Sequence, residues 1–398
     1  LLCNLRTEEV PTGDFENGVD VVLFDRTDAI SVAVATPITR NETYVDPQTS
    51  ASRIAIKYPI VGGFVPWGAQ RDGYAHPGAG TGFGVSEALD FPLLDDGSYN
   101  KADKTTTMIR RTIVHQFAYE GDAFRITGSE VHSANNPLRV AGSDWTVYAN
   151  GLHTAIPDGD DLLYPACATT SDASTCYPTP AATGVSRWRL TDGRWQLVGF
   201  SPVCTSRRAA HPRILYGKEV ELVAAEPSLV RDADGSLLFS ARLCGDDNED
   251  HAVRVWRSHD KGTTWSLLID LAQARGQAPV TINRAGDGTP YIAANALGHE
   301  RDRLCLWPLN PQRTGLAEPL TIRDASEEFG PPPTGPVWFM DHPTGQTLRL
   351  ADGQWHHVLV YRLMDRGEHS GAAPAPQTGL YVEEIHSAGQ AIPVWNFA

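Results

Sequence analysis

Runs of strand length recur along this chain and are separated by Asp-Gly pairs, the dipeptide that most strongly marks a tight hairpin turn. The pairs stand at Asp96-Gly97, Asp158-Gly159, Asp192-Gly193, Asp234-Gly235, Asp287-Gly288 and Asp352-Gly353. An apolar period of 3.6 residues is confined to Leu267 to Ala274, which predicts one turn of helix there. One unit reads strand by strand: Glu226 to Val230, the Asp234-Gly235 turn, Leu237 to Arg242, then His251 to Arg257. Comparable units fall at 54–90, 91–135, 145–205, 220–275, 278–325 and 333–390, with 20–37 and the C-terminal stretch left over. This predicts an all-β chain of six or seven repeated units.

Composition narrows the picture to a single folded domain. The chain has 398 residues, 41% of them hydrophobic, with 36 Gly and 28 Pro, which describes a turn-rich protein with a large core. All-β closed folds often run to this length as one unit. The clusters Pro331-Pro332-Pro333 and Ala372-Ala373-Pro374-Ala375-Pro376 read as loops between strands rather than linkers. No run approaches the roughly 18 apolar residues of a membrane-crossing helix. The opening Leu1-Leu2-Cys3 has no basic n-region, which predicts a mature, secreted or periplasmic protein whose targeting peptide has been removed. A net charge of −15 argues against nucleic acid or an anionic membrane as partner, while leaving room for a local basic funnel. The cysteines, Cys3, Cys167, Cys176, Cys204, Cys244 and Cys305, form no CxxC pair. Cys167 and Cys176 flank a Thr/Ser/Pro-rich segment and would clip it in an oxidising compartment; buried free thiols are the equal alternative.

The octapeptide Ser258-His259-Asp260-Lys261-Gly262-Thr263-Thr264-Trp265 has the form Ser-x-Asp-x-Gly-x-Thr-Trp and resembles an Asp-box. In that motif Asp and Ser/Thr side chains bond the backbone of a tight turn, Gly takes a φ its neighbours avoid, and Trp packs between the two strands. The resemblance implies a sialidase-like β-propeller of four-stranded antiparallel blades, seven rather than six, with the motif on the rim away from the active-site funnel. Terminal strands would complete one blade and close the ring across residues 1–398, a closure that leaves no exposed edge. In a propeller the inner strand starts, and the second strand ends, at the funnel. By topology alone this places Glu226, Arg242, Cys244, His251, His153, Asn283, Asn295, His299, Trp338 and Arg362 near that face.

Two kinds of family resemblance bear on chemistry. Glu226-Pro-Ser-Leu-Val-Arg-Asp-Ala-Asp-Gly-Ser-Leu-Leu-Phe-Ser-Ala-Arg242 resembles the sialidase inner hairpin, whose closing Arg binds a substrate carboxylate. Gly62-Gly63-Phe64-Val65-Pro66 and His76-Pro77-Gly78-Ala79-Gly80-Thr81-Gly82-Phe83-Gly84 resemble the N-terminal blades of propeller polysaccharide lyases, the ulvan lyase and rhamnose–glucuronate lyase group. Such a lyase removes the C5 proton of a uronic acid and expels the C4 oxygen. An Arg neutralises the carboxylate by bidentate hydrogen bonding and holds the developing enolate, while His or Tyr moves the protons. The candidates are His132, His153 and Tyr216 for proton transfer, with Arg213, Arg242 and Arg362 for the carboxylate. Glu226 reads first as a structural partner of Arg242.

The expected activity is therefore β-elimination on an anionic polysaccharide by a monomer, with no cofactor required. A glycosidase of sialidase type would need a Tyr–Glu nucleophile pair, an Asp acid and three Arg residues. Arg242 and Arg362 fit it, Asp90 and Asp341 stand in for the acid, and the N-terminal Arg-Ile-Pro signature is missing. A propeller α-L-rhamnosidase and a non-catalytic carbohydrate-binding propeller also compete with the lyase. Structural zinc or calcium is a further expectation: Cys244 with His251, His299 with Cys305, and the pair His356-His357 offer the N and S donors zinc takes. Their spacing matches no tight motif, and ordinary buried thiols with scattered histidines is the preferred reading.

Overall fold

The computed structural model describes residues 2–6, 19–26, 30–39, 42–57, 81–99, 109–120, 123–133, 136–148, 151–152, 155–170, 182–205, 213–215, 218–220, 223–244, 253–271, 274, 278–299, 301–333, 335, 337–349, 355–365, 375–387 and 390–397. The strands of these segments form a β-propeller, and among the described residues five sheets have the full complement of a blade. Sheet II holds Glu42–Val45, Ser52–Lys57, Thr81–Pro92, Ile109–Glu120 and Ala123–His132. In sheet III, Thr146–Tyr148 and Ile156–Asp158 both pair with Asp161–Thr169 and together make one broken inner strand, followed by Ala182–Thr191 and Arg194–Thr205. Sheet IV is Val223–Arg231, Leu237–Cys244, Val253–Ser258 and Ser266–Leu271. Sheet V is Thr281–Arg284, Pro290–Asn295, Arg303–Pro308 and Leu320–Asp324, and sheet VI is Trp338–Arg349, Trp355–Asp365, Gly379–Ser387 and Gln390–Phe397. A three-stranded sheet I (Leu2–Arg6, Val19–Arg26, Ile30–Thr39) and a hairpin of Arg213–Leu215 with Lys218–Val220 stand beside them.

Side chains alternate across a strand, so a sheet stacked on both faces needs apolar residues at consecutive positions. That is the pattern here. Leu162 faces the core shared with sheet II, where it meets Phe83 and Trp188, while Leu163 faces the core shared with sheet IV. Leu229 and Leu237 continue the latter core, and Val230 and Leu238 turn to the next one with Ile282, Ile292 and Trp307. Tyr291 then joins Trp338, Tyr361 and Tyr381 between sheets V and VI. Side-chain hydrogen bonds fasten the inner strands near the axis. Ile282 N donates to Ser228 Oγ at 2.8 Å, Thr281 Oγ1 to Pro343 O at 2.5 Å, and Gly345 N to Asn283 Oδ1 at 2.8 Å.

Several expectations are corrected. Among the described residues five sheets are complete blades, against the expected seven or, as the alternative, six. The boundary at 90/91 fails because the 12-residue strand Thr81–Pro92 pairs with Ile109–Glu120 inside one sheet, and Asp96-Gly97 closes a turn within it. Among the described residues Leu2–Arg6 pairs with Val19–Arg26, and Gln390–Phe397 is the fourth strand of sheet VI. The helical turn at Leu267 is strand Ser266–Leu271, with Leu267 exposed and Ile269 and Leu271 buried, a period of two. The α-helix among the described residues is Ala325–Phe329, capped by Asp324; no helix there is long and apolar enough to cross a membrane. Positive φ at Gly97, Gly159, Gly193, Gly235 and Gly288 bears out five of the six Asp-Gly turns, and Asp352-Gly353 lies outside the described residues.

The Ser258–Trp265 turn is built as its residue types demand. Asp260 Oδ1 accepts from the amides of Thr263 and Thr264, Gly262 N donates to Ser258 Oγ, and Lys261 and Gly262 have φ of 58° and 83°. Trp265 packs 5.7 Å from the Phe239 ring. The antiparallel order puts this turn at the end of sheet IV where Leu237 meets Ser258, opposite the end where Ala225 meets Arg242.

Candidate active site

The end of the sheets bearing Ala225 and Arg242 carries a linked group of charged side chains drawn from three blades. Two local irregularities create it. In sheet IV, Ala225 pairs with Arg242 but Ser228 pairs with Ser240; in sheet VI, Asp341 pairs with Arg362 but Thr344 pairs with Val360. Each first strand thus carries one extra residue, a bulge, which breaks the alternation and re-aims a side chain. The residue at each bulge precedes a proline and has positive φ, Glu226 at 50° and His342 at 52°. Steric crowding by the proline disfavours such a conformation, and non-Gly residues held there concentrate at functional sites.

The bulges bring Glu226 and His342 face to face, with His342 Nε2 4.0 Å from Glu226 Oε1. His342 Nδ1 lies 3.0 Å from Asp341 Oδ1, and Arg362 grips the same carboxylate through Nε and Nη2, both at 2.9 Å. Arg301, contributed from the loop of sheet V, adds a third cation at 3.3 Å and lies over the Phe339 ring at 4.8 Å. Arg242 Nη1 meets both oxygens of Glu226 at 3.3 and 3.2 Å. With His342 protonated, these six groups set four cations against two carboxylates in a chain whose net charge is −15.

Burial acts against the charge on Asp341, yet Arg362 and His342 outweigh it and hold the carboxyl well below the usual range. An ionised carboxylate only accepts, so the Nδ1 of His342 carries its proton, and Nε2, facing Glu226, is the nitrogen that titrates. Loss of hydration opposes the imidazolium, but Asp341 and then Glu226 raise the His342 pKa above its ordinary value. The His342 side chain nevertheless keeps 40% of its surface open, whereas Asp341 keeps 2%. Glu226 and Arg242 are intermediate, at 15% and 25%.

A second group borders this one from sheets II and III. Arg110 pairs with Glu87 and stacks on Tyr148, 3.7 Å from the ring centroid. Cys167, the strand partner of Tyr148, receives a backbone hydrogen bond from Glu226, and burial pushes its thiol up to about 12. Burial likewise keeps the Tyr148 phenol neutral, its pKa raised well above the ordinary value.

The residues expected from the sequence divide clearly. Glu226, Arg242 and Arg362 are brought together. His132 ends the outermost strand of sheet II, its Nε2 3.5 Å from Glu130 and its Nδ1 buried without a hydrogen-bond partner, and no hydrogen bond or ion pair joins it to Glu226, Arg242 or His342. His153, Tyr216 and His251 lie outside the described residues, as do the side chains of Arg213, Cys244 and His356. Leu152, beside His153, donates its amide to Pro227 O at 2.8 Å. Asn283, Asn295 and Trp338 are buried and hydrogen-bonded. Asn283 ties sheet V to Gly345, Asn295 Nδ2 bonds the carbonyls of Arg301 and Met340, and Trp338 Nε1 bonds Gly330 O. Asp90, the other acid candidate, is enclosed by Tyr44 and Arg111. His299 pairs with Asp302 at 3.2 Å and Cys305 contacts Thr321, while His357 bonds Tyr291; among the described residues no three His, Cys, Asp or Glu side chains converge as a metal site would require.

His342 and Arg301, which the structure adds to this group, were not singled out from the sequence. The signal for His342 was present: Ala225-Glu226-Pro227-Ser228 and Asp341-His342-Pro343-Thr344 occupy the same blade position, each followed by a closing Arg.

No family model and no curated protein matches the chain. Solved structures with related chain traces include a K499G mutant sialidase from Streptococcus pneumoniae, at 10% identity over 98% of this chain and 65% of that one, with a TM-score of 0.48. An intramolecular trans-sialidase from Ruminococcus gnavus has 12% identity over 98% and 92%, with a TM-score of 0.47. An ulvan lyase bound to a GlcA–Rha3S repeat has 12% identity over 97% and 86%, with a TM-score of 0.38. With TM-scores under 0.5, none of these likenesses bears on the chemistry of the site.

Proposed function

We propose that the protein is a polysaccharide lyase that cleaves a uronic-acid-containing anionic glycan by β-elimination, with Glu226 and His342 as its proton-transfer pair. The observation that carries this reading is the partly exposed His342 side chain, its Nε2 4.0 Å from the Glu226 carboxylate, in a group that also holds Arg242, Arg301 and Arg362. A guanidinium has five donors in a fixed fork, so one arginine can hold a protein carboxylate and a substrate carboxylate together. That charge lowers the cost of the enolate formed when the C5 proton leaves. Glu226, an acceptor when ionised, takes that proton; His342, charged through its raised pKa, donates to the departing C4 oxygen. A retaining glycosidase needs a second carboxyl or a phenol as nucleophile. Asp341 is enclosed by two arginines and His342, and Tyr148 is buried and neutral, which weighs against that alternative.

The test is to incubate the protein with ulvan and other acidic polysaccharides and follow the absorbance of the unsaturated uronate. His342→Ala and Glu226→Gln should each abolish the signal in folded protein. Sugar release without unsaturated product would replace the lyase with a hydrolase, and saturable binding without turnover would leave a carbohydrate-binding propeller. His132→Ala, His153→Ala and Tyr216→Phe belong in the same series, since unchanged turnover removes the residue from the chemistry.

A further inference from the structure

We infer that this elimination is syn, which restricts the substrate to 4-linked uronates whose C5 hydrogen and C4 oxygen lie on one face of the sugar ring, the gluco and manno configurations. The inference rests on the proposed lyase activity and narrows it. In these two configurations one side of the ring presents both the proton to be taken and the oxygen to be protonated. In the galacto, gulo and ido configurations they lie on opposite sides.

The deciding quantity is the spacing of the acid and base. Groups that act on opposite faces of a sugar stand about 6.5–9.5 Å apart in inverting glycosidases, which leaves room for the ring between them. Glu226 Oε1 and His342 Nε2 are 4.0 Å apart. A ring cannot lie between them, but it can lie across them, with the C5 hydrogen over Glu226 and the C4 oxygen over His342.

This spacing is built into the scaffold. Both backbones are held in the positive-φ bulge that precedes Pro227 or Pro343. Asp341 anchors Nδ1 of His342, and Arg242 anchors both oxygens of Glu226. Opening the pair to an anti geometry would require these contacts to be given up together. A site held by its supporting shell keeps its geometry through the reaction.

The step balances with these two groups alone. Glu226 takes the C5 proton, and the C5–H electron pair becomes the C4=C5 double bond. The C4–O4 bond breaks, its electrons leave on O4, and O4 takes the proton from His342 Nε2. Glu226 is then protonated and His342 neutral; their 4.0 Å separation is too long for direct transfer, and a relay through one solvent water restores both with no net consumption of water.

The experiment compares unsaturated-product formation by the unmodified protein on polyglucuronate and polymannuronate with that on polygalacturonate and polyguluronate. A matched pair of mixed glycans differing only in glucuronate or iduronate is included. A general acid or base contributes about 10²–10⁴-fold, so a substrate that can reach only one of the pair should react at least about 100-fold more slowly. Turnover confined to the glucuronate and mannuronate members is the expected result. Comparable turnover of any galacturonate, guluronate or iduronate substrate overturns the syn assignment and leaves the lyase reading standing. No unsaturated product from any substrate overturns both.

Discussion

At the scale of single residues, Asp341 is the group on which the site depends. It is buried and shared by Arg362, Arg301 and His342, so removing its charge leaves cations uncompensated in a poorly solvated place. Breaking a buried ion pair from one side typically costs about 3–5 kcal/mol. Asp341→Asn should therefore lower the urea midpoint substantially, and a midpoint within error of wild type would show that Asp341 is dispensable to the fold. His342 makes a separate prediction about pH. Its pKa is raised in the folded protein, so its charge stabilises the fold fully below the ordinary histidine value, and that contribution is lost as pH rises through the raised one. As proton donor it should impose the same limb on activity: kcat falls on the alkaline side of that value. A pH–rate profile measures this limb, and an activity that keeps rising through the window would mean that His342 acts in its neutral form.

At the scale of elements, the turns and the packed inner strands are open to direct tests. Asp260 accepts from the Thr264 hydroxyl and from backbone amides, and these bonds, that of Thr264 first, lower its carboxyl pKa. A lowered carboxyl stabilises the fold above its ordinary pKa and loses that effect as pH falls through the lowered one. Asp260→Ala should lower Tm at neutral pH, and the gap to wild type should narrow in acid; a constant gap would exclude the charge as its cause. Gly345 tests the packing of sheets V and VI, since a Cβ there would come within 2.5 Å of Asn283 Oδ1 and 2.7 Å of His357 Cε1. Forcing atoms into a packed interior costs about 1–3 kcal/mol. Gly345→Ala should show this loss in chemical denaturation, and an unchanged midpoint would mean that the two sheets part easily.

At the scale of the whole molecule, the blades are joined by apolar cores on both faces and by a few hydrogen bonds near the axis. Ser228 is buried and accepts from the Ile282 amide across the boundary between sheets IV and V. Ser228→Ala would strand that amide, at about 1–3 kcal/mol for a buried unsatisfied donor. Denaturation followed by tryptophan fluorescence should report that loss; an equal midpoint would mean that another partner replaces Ser228. The overall charge of −15 also sets a condition on the proposed substrate, because an acidic glycan would have to approach an acidic protein to reach a local group of cations. Screening shortens from about 10 Å at 0.1 M salt to about 3 Å at 1 M. Oligouronate affinity should respond to salt through both the repulsion outside and the pairing inside, and Arg242→Gln should flatten that response if the pairing dominates.

The sequence by itself determined the all-β class, because Asp-Gly pairs and consecutive apolar residues are local consequences of tight turns and of sheets buried on both faces. It also placed Glu226, Arg242 and Arg362 at one end of their strands, since the direction of a hairpin follows from its turn. The number of blades was not legible, because a turn within a sheet and a turn between sheets use the same residues, as Asp96-Gly97 demonstrates. His342 escaped notice for a related reason. Its bearing depends on a bulge and a positive φ before Pro343, a conformation the local sequence disfavours and which the surrounding sheet sustains. Only the tertiary structure, by bringing that bulge opposite the one at Glu226, set the His342 imidazole 4.0 Å from the Glu226 carboxylate.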